Sequence, residues 1–227
     1  MIVFSYSLYG VLPRYVLGMY ENLRLISELF PGSPVHVHTE RGHYAIPKLE
    51  RLGALVFEHE PEPDSGGMMW RLQPEGVGPS DHVCFRDADS RVTPRDAHAI
   101  REWVASGKAL HHIHDHPHHT RPIVGGCWGL RGTHIPLLRE EVERWPRTRK
   151  YGDDEDFLQK RIHPVFAHDE LAHHTHTLPP RPEGEPHICE QVPPPWRGHL
   201  TQFYVLNPDH YKRRMERFRE AISSSKI

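Results

Sequence analysis

Through its first hundred residues the chain alternates short apolar runs with amphipathic stretches, and glycine or proline punctuates most of the changes. Residues 2–7 read as a strand, 14–29 as a helix stopped by Pro31-Gly32, and 34–39 as a second strand. Residues 47–52 form a short helix closed by Gly53, 54–58 a third strand and 82–85 a fourth. Thr93-Pro94-Arg95-Asp96 then opens a helix ended near Gly107, with Thr93 at the N-cap, Pro94 in the first turn and Asp96 reaching back as in a capping box. Such alternation predicts an α/β fold: a mainly parallel, Rossmann-like sheet flanked by helices, in one domain. Sheets of this kind bind ligands beyond the carboxyl ends of their strands.

The fourth strand ends abruptly in Arg86-Asp87-Ala88-Asp89-Ser90-Arg91. In extended backbone, side chains two apart point the same way, so Asp87 and Asp89 aim their oxygens at one point past the strand end. Paired carboxylates suit a hard divalent cation, which in enzymes often lies against a phosphate. Asp-x-Asp also occurs by chance in acidic turns. Its place at a strand mouth between two arginines is what makes it a candidate site.

Bulk properties bound the alternatives. The 227 residues carry 28 Lys+Arg and 30 Asp+Glu, a formal charge of −2, which excludes a nucleic-acid binder held by bulk charge. Three widely spaced cysteines, Cys84, Cys127 and Cys189, predict reduced thiols in a cytoplasmic protein. The N-terminal residues lack a basic region and a long apolar run, so they read as a strand rather than a signal peptide. No segment approaches the roughly 18 apolar residues that cross a bilayer.

The second half is less regular. Residues 109–113 suggest a strand, Gly125-Gly126 a turn, 135–145 and 154–161 helices, and Val165-Phe166-Ala167 a strand end. Residues 177–196 are Pro-rich and read as a wrapping loop, and 208–222 as a basic amphipathic helix. The whole chain, 1–227, is therefore taken as one domain with a C-terminal wrap and helix. The basic helix reads most simply as a solvated face, with an acidic acceptor, anionic lipid or nucleic acid as the alternative.

Four further clusters carry chemistry. The run from His111 to His119 could give a zinc ion two ligands, but no Cys pair or HExxH frames them; solvated histidines, or imidazoles lining an anion site, are the competing readings. Gly125-Gly126-Cys127-Trp128-Gly129 offers either a sugar platform or a tight turn with a core tryptophan. Asp153, Asp154, Glu155 and Asp156 suit a helix start, yet exceed what capping needs, so one facing the cleft could serve as base. His168, after the expected strand end, is the choice for completing the cation shell.

Taken together these blocks resemble a family of small bacterial and viral GT-A-type glycosyltransferases. The similarity runs over residues 2–170: Phe4-Ser5-Tyr6-Ser7-Leu8-Tyr9-Gly10, then Gly18 and Asn22, Gly67-Met68-Met69-Trp70-Arg71, and Phe85-Arg86-Asp87-Ala88-Asp89-Ser90-Arg91. Asp115-His116-Pro117-His118-His119, Pro122-Ile123-Val124-Gly125-Gly126-Cys127-Trp128-Gly129, Tyr151 to Leu158 and His168-Asp169 follow in order. The resemblance implies transfer of a sugar from a nucleotide-diphosphate sugar, a UDP-sugar foremost, with Mn²⁺ or Mg²⁺. It implies Asp87, Asp89 and His168 as metal ligands. Tyr9, Arg71, Arg86, Asp87, Ala88, Asp89, His116, Gly125 and Gly126 would bind the donor, and Asp154 or Asp156 would be the catalytic carboxylate. The acceptor is left open among glycan, lipid-linked saccharide, small molecule, peptide and modified DNA. Two departures stand out: His114 where the family commonly has Arg, and Glu155 where it commonly has Gln. A nucleotidyltransferase or a non-catalytic nucleotide-sugar-binding protein are the alternatives; the first usually carries a Gly-rich basic loop after strand one, whereas residues 8–14 hold one Gly and one Arg.

Overall fold

The computed structural model describes residues 1–192; the basic helix expected at 208–222 lies outside them. Four parallel strands, β1 (Ile2–Leu8), β2 (Val35–Glu40), β3 (Leu55–His59) and β4 (His82–Asp87), alternate with helices α1 (Pro13–Leu29) and α2 (Ile46–Arg51). After α3 (Pro94–Ser106) come β5 (Leu110–His114), β6 (Cys127–Arg131), α4 (Ile135–Arg144), α5 (Asp153–Phe157), α6 (His163–Phe166) and β7 (Glu170–His174). They form one seven-stranded sheet in the order β3-β2-β1-β4-β6-β5-β7. Only β6 runs against the rest, antiparallel to both β4 and β5. The mainly parallel α/β architecture expected from the alternation is therefore present, with one reversed strand inserted beside β4.

β1 and β4 lie at the centre and are buried along nearly their whole lengths, which is why they read as continuous apolar runs. In α1, Val16, Met19, Leu23 and Ile26 recur at helical spacing and pack against Phe4, Tyr6 and Leu8. On the other face Phe85 stacks on Trp128 at 4.2 Å, beside Leu110, Leu130, Leu138 and Phe157. Trp128 is fully buried, so the core reading of the Gly-Gly-Cys-Trp-Gly block holds and the sugar-platform reading falls.

α1 also shapes the turn that follows β4. A Cβ on Gly18 would lie 2.1 Å from the Ala88 carbonyl oxygen, so only glycine lets the helix approach this closely. Asn22 Nδ2 donates to the Ser90 carbonyl at 2.7 Å, and its Oδ1 accepts from the Val92 amide at 3.2 Å.

Two local expectations are corrected. Thr93 does cap α3, accepting from the Asp96 amide, but the Asp96 carboxylate does not reach back; it pairs with Arg86 at 2.9 Å. Residues 165–167 do not end a strand. They belong to α6 and the turn after it, and the strand comes later as β7, pairing parallel with β5.

Candidate functional site

The carboxyl edge of β1 and β4 opens into a cleft, the place where sheets of this kind bind ligands. Its floor is Asp87, the last residue of β4, followed by Ala88 and Asp89 in the turn held by α1. Asp89 is buried and forms an ion pair with Arg14, at the start of α1, at 3.0 Å. Burial, with Asp87 alongside, pushes Asp89 up to about 6 against the pull of Arg14. Its Oδ2 is buried with no hydrogen-bond donor aligned on it.

The 3₁₀ segment Gly66–Leu72 carries Arg71 into the cleft. Two buried serines of β1 fix that segment: Ser5 Oγ donates to the Arg71 carbonyl at 2.7 Å, and Ser7 Oγ accepts from the Arg71 amide at 2.9 Å. One guanidinium nitrogen of Arg71 then binds Asp87 and the other binds Asp154. Burial opposes the Arg71 charge, but Asp87 and Asp154 more than offset it and hold the group firmly protonated. Tyr9 lines the same wall, and a Cβ on Gly67 would meet its ring at 2.8 Å.

Because β6 is reversed, its start lies beside the end of β4: Cys127 pairs with Arg86, and Gly125-Gly126 pass alongside Asp87. A Cβ on Gly126 would stand 2.1 Å from Asp87 Oδ2, and one on Gly125 2.6 Å from Asp154 Oδ2. A side chain at either position would displace these carboxylates.

The acids at the start of α5 divide their work. Asp153 accepts from Trp145 Nε1 and from the amides of Thr148 and Arg149, which folds the preceding loop. Asp154 is buried, its Oδ2 on Arg71 and its Oδ1 accepting from the Glu155 amide at 2.9 Å. Burial raises its pKa, with Arg71 opposing. Glu155 also lines the cleft. Asp156 does not: it points away, paired with Arg121 at 3.1 Å and Lys160 at 3.6 Å.

Three further expected residues are not brought to the cleft. Arg86 is buried beneath it, bound to Asp96 and to the carbonyls of Phe85 and Trp128. His116 packs among His118, His119 and His187 in the loop after β5, because Asp115 before it is turned inward by Arg95. His168 is exposed in the turn before β7, whose first residue pairs with Leu110, the first of β5. That turn is at the amino edge of the sheet, opposite Asp87, so His168 cannot share an ion with it.

Residues that sequence reasoning passed over take their places. Tyr15 and Tyr151 line the cleft, the latter 84% exposed at its mouth. Residues 187–192 close one side: the Ile188 amide donates to Asp115, Cys189 Sγ donates to Asp87 Oδ2 at 3.8 Å, and the Val192 amide donates to the Asp89 carbonyl at 2.8 Å. Gln191 accepts from Arg14 at 3.0 Å. No motif marks these contacts, which join positions 73 to 177 residues apart. The cysteines are all free.

The histidine run contributes structure instead. His111 and His112 are buried in β5, the first bonded to His173 and the second to Glu170. Among the described residues no three His, Cys, Asp or Glu side chains are grouped to hold a metal by themselves. None of the described helices is long and apolar enough to cross a membrane.

No family model and no curated protein matches the sequence. Solved structures do match. A glycosyltransferase involved in the glycosylation of the major capsid of PBCV-1 aligns at TM-score 0.54 and 13% identity, over 76% of this chain and 81% of that one. Glucosyl-3-phosphoglycerate synthase from Mycobacterium tuberculosis, in complex with Mn²⁺, UDP-glucose and phosphoglyceric acid, aligns at 0.55 and 14%, over 77% and 69%. A protein described as a glucose-1-phosphate thymidylyltransferase from Bacillus anthracis aligns at 0.54 and 10%, over 77% and 87%. At these identities the likeness is one of architecture: the chain has the GT-A-like, Rossmann-like fold.

Proposed function

We propose that the protein is a metal-dependent glycosyltransferase, moving a sugar from a nucleotide-diphosphate sugar, UDP-linked foremost, to an acceptor hydroxyl. The observation that carries this reading is the charge of the cleft. Among the described residues Asp87, Asp89 and Asp154 pair with two guanidiniums, Arg14 and Arg71, while Glu155 has Arg121 at 3.9 Å, so the floor of the cleft carries more carboxylates than guanidiniums. A divalent cation suits that excess of negative charge, and Asp87, the partly exposed carboxylate at the end of β4, with Asp89 two residues on, would provide its seat. Two carboxylates suffice where phosphate oxygens and water complete the shell, as Mg²⁺ and its like prefer.

In this reading Asp87 and Asp89 hold the ion, and Mn²⁺ or Mg²⁺ supplies the charge that stabilises the departing diphosphate. Arg71 keeps Asp87 and Asp154 in register. Gly125 and Gly126 admit the donor close to the backbone, and Tyr9 and Tyr15 offer flat walls for it. The glucosyl-3-phosphoglycerate synthase structure with Mn²⁺ and UDP-glucose shares this fold, which supports the donor class.

The test is release of nucleotide from UDP-glucose, UDP-galactose, UDP-N-acetylglucosamine or GDP-mannose with Mn²⁺. Turnover of at least one, lost on chelation of the metal, is expected. Pyrophosphate released from a nucleoside triphosphate and a sugar 1-phosphate would instead make the protein a nucleotidyltransferase. Binding of every donor without turnover would make it a non-catalytic receptor.

A further inference from the structure

Asp115, the first residue after β5, is fully buried at the carboxyl edge of the sheet, yet it does not line the cleft. Its carboxylate takes the Arg95 guanidinium two-pronged, Nη2 to Oδ1 at 2.8 Å and Nη1 to Oδ2 at 2.5 Å. Oδ2 also accepts from the Ile188 amide at 2.9 Å, and Arg95 Nε donates to the Pro179 carbonyl at 2.8 Å. One ion pair therefore fastens the chain at both 179 and 188. Burial raises the Asp115 pKa, but Arg95 and the Ile188 amide more than offset it and hold the carboxyl below its ordinary range. Past this clasp, residues 187–190 make a turn, the Glu190 amide donating to the His187 carbonyl at 3.0 Å. Cys189, in the third position, has a φ of 65°, as a type II turn requires and as a residue other than glycine adopts only under strain. Both flanks of the turn are tied down, Ile188 by Asp115 and Val192 by the Asp89 carbonyl, and that is what holds the strain.

Resting on the glycosyltransferase reading, we infer that Asp115 is a positioning residue: it clasps residues 187–192 against the cleft and through them sets the turn that carries Asp89. Three links lead from this strap to the carboxylates proposed to hold the ion. The Val192 amide fixes the Asp89 carbonyl at 2.8 Å. Gln191 accepts from Arg14, which itself pairs with Asp89 at 3.0 Å. Cys189 Sγ rests on Asp87 Oδ2 at 3.8 Å. Asp115 touches neither aspartate, so its effect on the ion passes through these links. Groups that orient the ligands of a metal change its affinity about 10- to 100-fold when removed. By linkage, whatever fastens the strap favours the ion, and the ion favours the fastened strap.

Alkylation of Cys189 by iodoacetamide, read by mass spectrometry, reports the strap, and Cys84, sealed in β4, reports global opening in the same spectra. Asp115→Ala should speed alkylation of Cys189 relative to Cys84 at least about tenfold. It should also weaken calorimetric Mn²⁺ binding in the presence of UDP about tenfold. Asp96→Ala is the control, since it breaks the other fully buried Arg–Asp pair, which does not hold the strap. Both of its readings should stay within about twofold of wild type. Should Asp115→Ala not fold, Ile188→Pro removes the amide, keeps the Arg95 pair and suits the second position of the turn, so the same two changes are expected of it. Unchanged alkylation would show that Asp115 does not hold the strap. Faster alkylation with unchanged ion affinity would show that the strap does not position Asp89. Equal changes in Asp96→Ala would make the effect a general loosening. Each of these overturns the assignment while the glycosyltransferase reading stands. A wild type that binds no Mn²⁺ with UDP overturns that reading, and the positioning role with it.

Discussion

Replacing Arg71 by methionine removes the one group that bridges Asp87 and Asp154 and leaves a buried carboxylate with no counter-charge. Breaking a buried pair from one side costs about 3–5 kcal/mol, and the partial exposure of Asp87 brings the expected loss to about 2–4 kcal/mol in urea unfolding. Arg71→Lys keeps the charge but not the two-pronged geometry, and should lie between. A loss below about 0.5 kcal/mol for the methionine variant would show that the bridge is not formed in solution. Much of this chemistry was legible beforehand: Tyr9, Arg71, Asp87, Ala88, Asp89, Gly125 and Asp154 all lie in short, distinctive blocks and all reach the cleft. Arg86 was misjudged, although strand alternation carries its lesson, since a residue adjacent to Asp87 must face the other side of the sheet. Arg14, Cys189 and Gln191 had no local signal, because each acts through a partner distant in the chain.

At the scale of elements, the turn after β4 depends on what presses against it. Gly18→Ala would drive a Cβ into the Ala88 carbonyl, and α1 must retreat. The expected cost is about 1–3 kcal/mol in unfolding, together with weaker Mn²⁺ binding by titration calorimetry, since the retreat loosens Asp89. Unchanged metal affinity would separate the helix from the site. Asp96→Ala should act differently: it strands the buried Arg86 guanidinium and lowers stability by about 3–5 kcal/mol, yet donor affinity measured on folded protein should be preserved. The first four strands and three helices could be read from periodicity and caps because local pattern and burial agree there. β6 and β7 could not. β6 is Gly-interrupted and packs through Trp103, which a Cβ at Gly129 would meet at 2.7 Å, while β7 is a short polar-looking edge strand whose partner is sixty residues earlier.

At the scale of the molecule, the histidines give a pH dependence. Burial lowers His36 to about 4, His38 to about 3 and His112 to about 4, and it holds His111 well below its ordinary value. In the unfolded chain these groups take up protons near pH 6.5, whereas in the folded chain they stay neutral to lower pH. Stability is therefore constant above that value and falls as pH drops from about 6.5 toward 4, by roughly 1.4 kcal/mol per pH unit for each fully withheld histidine. Urea midpoints across that range should decline steeply; a flat profile would contradict the buried neutral state. The central claim concerns the cleft itself, and calorimetric titration of Mn²⁺ in the presence of UDP tests it most directly. Wild type should bind the ion with UDP present, and Asp87→Asn/Asp89→Asn, still folded by circular dichroism, should bind it at least about 100-fold more weakly. Equal Mn²⁺ affinity in the two proteins would contradict the account.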